Sequence, residues 1–214
     1  MVKIELPQVT LITYTDQDIK GHHKALLKSM EGINFGKVIL CSPQNDSISW
    51  NQGGKDFVWH KQIEPIGSID EWNRRIIFDL PRFIETSHAL LIHQDGYVIH
   101  PELWNPEWLE LDYIGSPWPL PKDDYSYRSE SGKIQRVGNS VSLRSKKLMD
   151  LVATRPMEYH YGNNNEDGQI CCWNREWLEE QGCKFATFEQ ALHFGKEHTL
   201  PENENLETFL FHQV

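Results

Sequence analysis

The sequence predicts an α/β domain in which helices flank a central, mainly parallel β-sheet. Three observations carry that expectation. A strand–helix–strand succession lies within residues 9–41, the clearest buried-strand run (His88-Ala89-Leu90-Leu91-Ile92-His93) ends directly in Gln94-Asp95-Gly96, and no Pro/Gly/Ser-rich spacer divides the 214 residues. A helix between two short strands is the usual crossover of a parallel pair, and such crossovers are right-handed. In open sheets of this kind ligands bind outside the carboxyl ends of the strands, which is where Asp95 falls.

Taken in order, Val9-Thr10-Leu11-Ile12-Thr13-Tyr14 is a β-branched, apolar strand followed by the polar loop Thr15-Asp16-Gln17-Asp18. Residues 22–30 read as a helix with Ala25, Leu26 and Met30 on one stripe. Lys37-Val38-Ile39-Leu40-Cys41 is a second strand, stopped by Ser42-Pro43-Gln44-Asn45-Asp46; residues 51–54 are a loop and 57–63 a short third strand. Trp72, Ile76, Leu80 and Phe83 recur at helical spacing over 69–84, with Pro81 expected to kink or end that helix early. Asp112-Tyr113-Ile114-Gly115-Ser116-Pro117-Trp118-Pro119 reads as a turn-rich aromatic segment, and the polar stretch 122–133 as a mobile loop over a site. Residues 137–145 alternate small, polar and apolar side chains like a strand close to a ligand, and Ser145 is placed to cap a helix over 146–153. Asn163-Asn164-Asn165 leads into Glu166-Asp167-Gly168, a helix over 169–181 ends at Gly182, a last strand covers 184–187, and a polar tail runs to Val214.

Bulk properties narrow the function. One domain, 1–214, accommodates the length. The net charge of -10 and pI near 5.4 leave no basic surface for nucleic acid. No stretch approaches the ~20 apolar residues of a membrane span, and Met1 to Thr10 lacks a signal peptide's apolar core, so a cytoplasmic location is expected. Cys41, Cys171, Cys172 and Cys183 lack paired metal spacing and read as reduced core thiols.

Two acidic clusters carry the candidate chemistry. Asp95, between an apolar strand and a glycine, suits a hard divalent cation bridging carboxylate and phosphate oxygens, although a turn aspartate closing a strand has the same pattern. Glu166 and Asp167 open a helix, where capping explains at least one of them; one as general base is the alternative. His93, His100, His193 and His212 are more simply packed than ligating, with His212 singled out because a tail can fold back to complete a site. Trp104, Trp108 and Tyr113 fit a core, whereas Trp118 between two prolines is able to offer a flat face to a sugar. Arg74, Arg75 and Arg144 are candidates for phosphate or for ordinary salt bridges.

The runs Val9-Thr10-Leu11-Ile12, Ile92-His93-Gln94-Asp95-Gly96-Tyr97-Val98, Leu111-Asp112-Tyr113-Ile114-Gly115-Ser116-Pro117-Trp118, Val137-Gly138-Asn139-Ser140-Val141-Ser142-Leu143-Arg144-Ser145, Glu166-Asp167 and Phe211-His212, together with Trp104, resemble a bacterial family of glycosyltransferase-like domains. More broadly the layout is similar to the Rossmann-like GT-A glycosyltransferases. That resemblance implies a nucleotide-sugar half (1–98) and an acceptor-side half (99–214). It places the nucleotide on Thr13, Tyr14, Thr15 and Asn73, and the sugar diphosphate on Gln94, Asp95 and Gly96. The acceptor falls on Trp118, Gly138, Asn139 and Ser140, and the base on Asp167 or Glu166. Gln94 and Gly96 leave one carboxylate where the wider superfamily has a D-x-D motif, and His212 resembles a C-terminal metal ligand that makes up part of the difference.

The expectation is therefore a hexosyltransferase acting in polysaccharide biosynthesis. It transfers a sugar from a nucleotide donor, a UDP-sugar, to a saccharide or glycoconjugate hydroxyl with inversion, and its Mn2+ or Mg2+ is held by Asp95 and His212. Two rivals have the same residues: an inactive sugar- or nucleotide-binding module, and a metal-dependent phosphoester hydrolase.

Overall fold

The computed structural model describes residues 3–43, 58–161 and 164–212. The expected loop at 51–54, the 44–46 part of the strand stop, residue 57 and Asn163 lie outside them. Strand β1 covers Ile4–Tyr14 and β2 covers Ile33–Ser42, joined by helix α1, Ile19–Ser29. Both strands begin earlier than their apolar runs because their first residues are half-exposed and mixed in character, which blurs a periodicity signal. Strand β3 (Trp59–Gln62) precedes α2 (Ile69–Phe78), whose Ser68 cap accepts the Glu71 N–H at 3.1 Å. Pro81 falls in a 3-10 turn, Leu80–Phe83, just after α2 ends. Strand β4, His88–Leu91, is buried throughout.

The second half departs from expectation in several places. The segment expected to be turn-rich contains strand β5, Tyr113–Pro117, paired antiparallel with β6, Val137–Ser145. Its proline is tolerated because β5 is an edge strand, where one N–H need not join a ladder. Ser145 then caps α3 (Lys146–Val152) by accepting the Leu148 N–H at 3.0 Å, as its position predicted. The helix expected over 169–181 is broken into a helical turn, α4 (Glu166–Gly168), a π-helical stretch (Gln169–Trp173) and α5 (Arg175–Glu180). Gly182, with φ of 76°, closes the last of these. Residues 184–187 form no strand; Phe185 makes an isolated bridge to Tyr113.

The expected polar tail is instead an ordered closing unit. Helix α6 (Phe188–Phe194) starts at a capping box between Thr187 and Gln190, and β7 (Gly195–Lys196) then pairs in parallel with β8 (Leu210–Phe211). Phe194 and Phe209 are fully buried and meet Trp108 at ring distances of 5.1 and 5.4 Å.

The six-stranded sheet has the order β3-β2-β1-β4-β6-β5. β1 through β4 are mutually parallel, and β6 is antiparallel to both neighbours, so the sheet is mainly parallel, as expected. Successive residues serve opposite faces: Leu11 and Leu90 join the larger core, and Ile12 and Leu91 join the smaller one with Ile76 and Leu80. The chain builds outward from β1 to β3 and then returns to β4 on the other side of β1, which creates a switch point between β1 and β4. Because β6 runs backwards, its beginning lies at the carboxyl edge of the parallel strands, with Gly138 opposite Ser116. One sheet edge thus gathers the ends of β1, β4 and β5 and the start of β6.

Candidate active site

A cleft of about 780 Å³ opens at that edge. Of the residues singled out from sequence, Tyr14, Thr15, Asn73, Gln94, Ser140, Glu166, Asp167 and His212 line it. The others support it from outside. Thr13 is buried beneath, its Oγ1 2.5 Å from His22 Nδ1. Asp95 stands on the rim, its side chain 51% exposed, with Oδ1 3.8 Å from His212 Nε2. Gly96 makes room for the tail rather than for a phosphate, since a Cβ there would lie 2.8 Å from His212 Cδ2 and 2.7 Å from Val141 Cγ2. Gly138 lies under the Trp118 indole, which a Cβ would meet at 1.9 Å. Trp118 is buried and faces a second pocket, so its ring is packed on one side and not free to stack at the larger cleft.

The acidic pair divides its labour. Glu166 is 1% exposed and meets Arg144, itself 2% exposed, through contacts of 2.8 and 3.1 Å. Arg144 is therefore neither a phosphate ligand nor a surface ion pair. Burial pushes the Glu166 carboxyl up to about 6, while the guanidinium pulls the other way; the pair is ionised at neutral pH. Asp167 is half-buried and accepts the Gly168 N–H at 2.8 Å. Burial raises its pKa, opposed by that N–H and by Arg144. Asp167 and Asn165 also line the second pocket, about 340 Å³, so Asp167 stands on the wall between the two.

His212 is held by Asn139, which has a φ of 98°. The Asn139 Oδ1 accepts the Val141 N–H at 3.0 Å and lies 2.9 Å from His212 Nδ1. An amide oxygen only accepts, so His212 Nδ1 carries the proton and Nε2 presents its lone pair toward Asp95. This is a chemically suitable donor pair for a divalent cation. The two atoms lie 3.8 Å apart, so a single cation would be within reach of both. Among the described residues no group of three or more His, Cys, Asp or Glu side chains is placed to hold a metal. The protein would thus supply a partial shell, and Mg2+ in particular is commonly completed by water and substrate phosphate.

Two lining residues, Trp72 and His22, carried no signal in the sequence that marks a site, and His93 was a candidate read as more simply packed than ligating. Trp72, His22 and His93 form an aromatic floor, with ring centroids 5.3 Å apart for Trp72–His93 and 6.1 Å for His22–His93. Burial lowers His22 to about 4 and His93 well below its ordinary range, so both are neutral bodies. Trp72 appeared in the sequence only as one member of a helical stripe. Arg75 is engaged by the Glu64 and Pro65 carbonyls at 2.7 and 3.1 Å, and Arg74 lies over Phe78. No Lys or Arg is among the described residues lining the larger cleft. The Asn73 side-chain nitrogen is buried without a hydrogen-bond partner, while its oxygen accepts the Glu166 N–H at 3.2 Å.

A family model described as "Protein of unknown function (DUF5672)" matches residues 77–212. The chain belongs to the DUF5672 family. That DUF5672 match takes in the site residues from Gln94 to His212 and leaves out Thr13, Tyr14, Thr15 and Asn73. No curated protein matches the chain. Among solved structures, an active-site mutant of LgtC is 11% identical with a TM-score of 0.58, over 95% of this chain and 86% of that one. The galactosyltransferase LgtC in complex with donor and acceptor sugar analogs is 12% identical, with the same TM-score and coverages. The apo-form glycosyltransferase GlyE of Streptococcus pneumoniae TIGR4 is 13% identical with a TM-score of 0.45, over 96% of this chain and 54% of that one. The architecture of this DUF5672 chain is that of the GT-A glycosyltransferases, as the sequence led us to expect. All four cysteines are buried and free, again as expected. No helix among the described residues is long and apolar enough to cross a membrane.

Proposed function

We propose that this protein is a glycosyltransferase that moves a sugar from a UDP-sugar to a hydroxyl of a saccharide or glycoconjugate, with Asp167 as general base. The observation that carries the reading is the position of Asp167 on the wall shared by two pockets at the carboxyl edge of a GT-A sheet. A group that takes a proton from an acceptor must touch the acceptor and face the donor. Glu166 is less suited because its carboxylate is committed to Arg144.

In the proposed step an acceptor hydroxyl gives its proton to the Asp167 carboxylate as its oxygen bonds the anomeric carbon. The bond from that carbon to the diphosphate oxygen breaks, and its electron pair leaves with UDP. Attack opposite the leaving group inverts the anomeric centre. The nucleotide lies against Tyr14, Thr15 and Trp72, with the unpartnered Asn73 amide as a donor for it. With no Lys or Arg lining the cleft among the described residues, the diphosphate's charge needs another counterpart. A Mn2+ or Mg2+ ion held by Asp95 and His212 would supply it, as a Lewis acid on the diphosphate. A polysaccharide-building role in the cytoplasm fits this chemistry.

Thermal shift with UDP, with and without Mn2+, tests the donor site, because a ligand bound only by the folded state raises its melting temperature. UDP should stabilise the wild type more with Mn2+ than without, and Asp95→Ala with His212→Ala should abolish the increment. Transfer is followed by NMR of the product's anomeric configuration. UDP binding with no transfer to any acceptor would point to a binding module, and free phosphate from simple phosphoesters to a hydrolase. A retained anomeric configuration would refute Asp167 as the base.

A further inference from the structure

The second pocket has no assigned role, yet its composition is unlike an ordinary surface dent. Tyr125 and Tyr161 are 47% and 68% exposed and stack on each other at 4.9 Å with their planes 27° apart. Beside them the His160 and Trp173 rings stack at 3.5 Å and 16°. The exposed tyrosine rings, backed by the half-buried Trp173 6.1 Å from Tyr161, are surfaces on which the apolar C–H face of a pyranose can lie. The backbone also departs from its easy conformations here. Tyr127 and Tyr161 have φ of 52° and 51°, a region that bulky residues rarely occupy and that costs of order 1–3 kcal/mol each. Both residues line this pocket.

The polar groups point the same way. Glu197, never conspicuous in the sequence, lines the pocket with a side chain only 13% exposed, and its Oε2 is buried without a hydrogen-bond partner. Asp167 supplies a second carboxylate on the wall toward the larger cleft. Arg128 also lines the pocket; its Nη1 donates to the Gly132 carbonyl at 3.2 Å, while its Nε is buried without a hydrogen-bond partner. Burial and the neighbouring Asp167 charge raise the Glu197 carboxyl to about 7, so the lining offers the Asp167 carboxylate, a carboxyl that both donates and accepts, and the Arg128 Nε–H, a set matched by hydroxyls, which do both. The volume, about 340 Å³, is at the small end of the ~300–1,000 Å³ typical of ligand sites and suits one or two sugar rings rather than an extended chain.

We infer that this aromatic pocket is the acceptor site and takes a neutral pyranose, stacked on the exposed Tyr125 and Tyr161 rings, with one hydroxyl directed to Asp167 and another to Glu197. The inference rests on the transferase reading for the word acceptor; the binding of a neutral sugar at these rings does not. A uronic or sialic acid is disfavoured because its carboxylate would face the Asp167 charge that already hinders ionisation of Glu197.

The test is saturation-transfer NMR with methyl glucoside, methyl galactoside, methyl N-acetylglucosaminide and lactose, with methyl glucuronide as the charged control, and with UDP binding followed separately by thermal shift. The wild type should bind at least one neutral probe and the glucuronide at least tenfold more weakly. Tyr161→Ala and Tyr125→Ala, both at exposed rings, should weaken the neutral probe at least fivefold and leave the UDP shift unchanged. Glu197→Gln should weaken it by a similar factor. Neutral-sugar binding that survives both tyrosine substitutions, or no binding of any neutral probe, overturns the inference even if UDP binds. Failure of UDP alone overturns the donor assignment and leaves the sugar result standing.

Discussion

Replacing Glu166 by Gln should unfold the protein far more easily, whereas replacing its neighbour Asp167 by Asn should silence it without destabilising it. Glu166→Gln leaves the Arg144 guanidinium, 2% exposed and now 2.8 Å from a neutral amide, without a counter-charge. Removing one partner of a buried pair costs about 3–5 kcal/mol. At roughly 2–4 °C per kcal/mol for a chain of this size, the melting temperature falls by roughly 6–20 °C. Both carboxyls are raised by burial, but Asp167 has no ion-pair partner among the described residues that its loss would leave uncompensated. Burial raises its folded pKa, so its contribution to stability is present below the ordinary carboxylate pKa and lost as pH rises through the folded value. At neutral pH the charge is a liability that Asn removes, so stability holds or rises, while loss of a general base lowers transfer by about 10²–10⁴-fold. Urea unfolding, with constant m as the check on two-state behaviour, measures the first quantity, and UDP-sugar turnover the second. The assignment of a structural and a chemical carboxylate fails if Glu166→Gln unfolds at the wild-type midpoint, or if Asp167→Asn loses stability on the scale expected for Glu166. The double variant Arg144→Met with Glu166→Leu should recover most of the loss, because no charge is then left buried.

Other substitutions probe the floor and the walls. His22 is held at about 4 by burial, against 6.5 ordinarily, so below 6.5 the unfolded chain takes up a proton that the folded chain refuses. Its contribution should therefore fall by about 3 kcal/mol between neutral pH and pH 4, because each tenfold difference in proton affinity is worth ~1.4 kcal/mol. The stability difference between wild type and His22→Gln, followed by urea unfolding across that range, checks this, and a difference independent of pH contradicts it. Gly138→Ala places a methyl 1.9 Å from Trp118 Cζ2, inside a buried indole. Overpacking of that kind costs about 1–3 kcal/mol, and the near-ultraviolet circular dichroism of the tryptophans should change with it. An unaltered melting temperature and spectrum would show that the ring is not confined.

Much of the sheet was legible because its strands are locally marked. The 88–93 run and the 137–145 alternation both became strands, and Ser145 became the cap its position suggested. Strand β5 was hidden because glycine and proline ordinarily signal turns, and only its place at the sheet edge makes them harmless. The closing unit was hidden for another reason. Its few large apolar residues are scattered among polar ones, although the Thr187–Gln190 capping box was a local signal that a helix begins there. Of the site, Tyr14, Thr15, Asn73, Gln94, Ser140, Glu166, Asp167 and His212 came together at one cleft, while Asp95 took its rim. Glu197 had no local signal at all, since an isolated glutamate in a polar stretch is usually solvated.

The amino-acid sequence alone determined the α/β class, the carboxyl-edge placement of Asp95 and the reduced cysteines, because each follows from local periodicity, turn chemistry or composition. Tertiary structure decided which carboxylate is free and which is tied, that Gly96 yields to His212, and that aromatic residues from distant segments share one pocket. Those outcomes depend on β6 running against its neighbours and on the tail folding back over the sheet edge. Contacts between segments tens of residues apart or more leave no trace in local spacing.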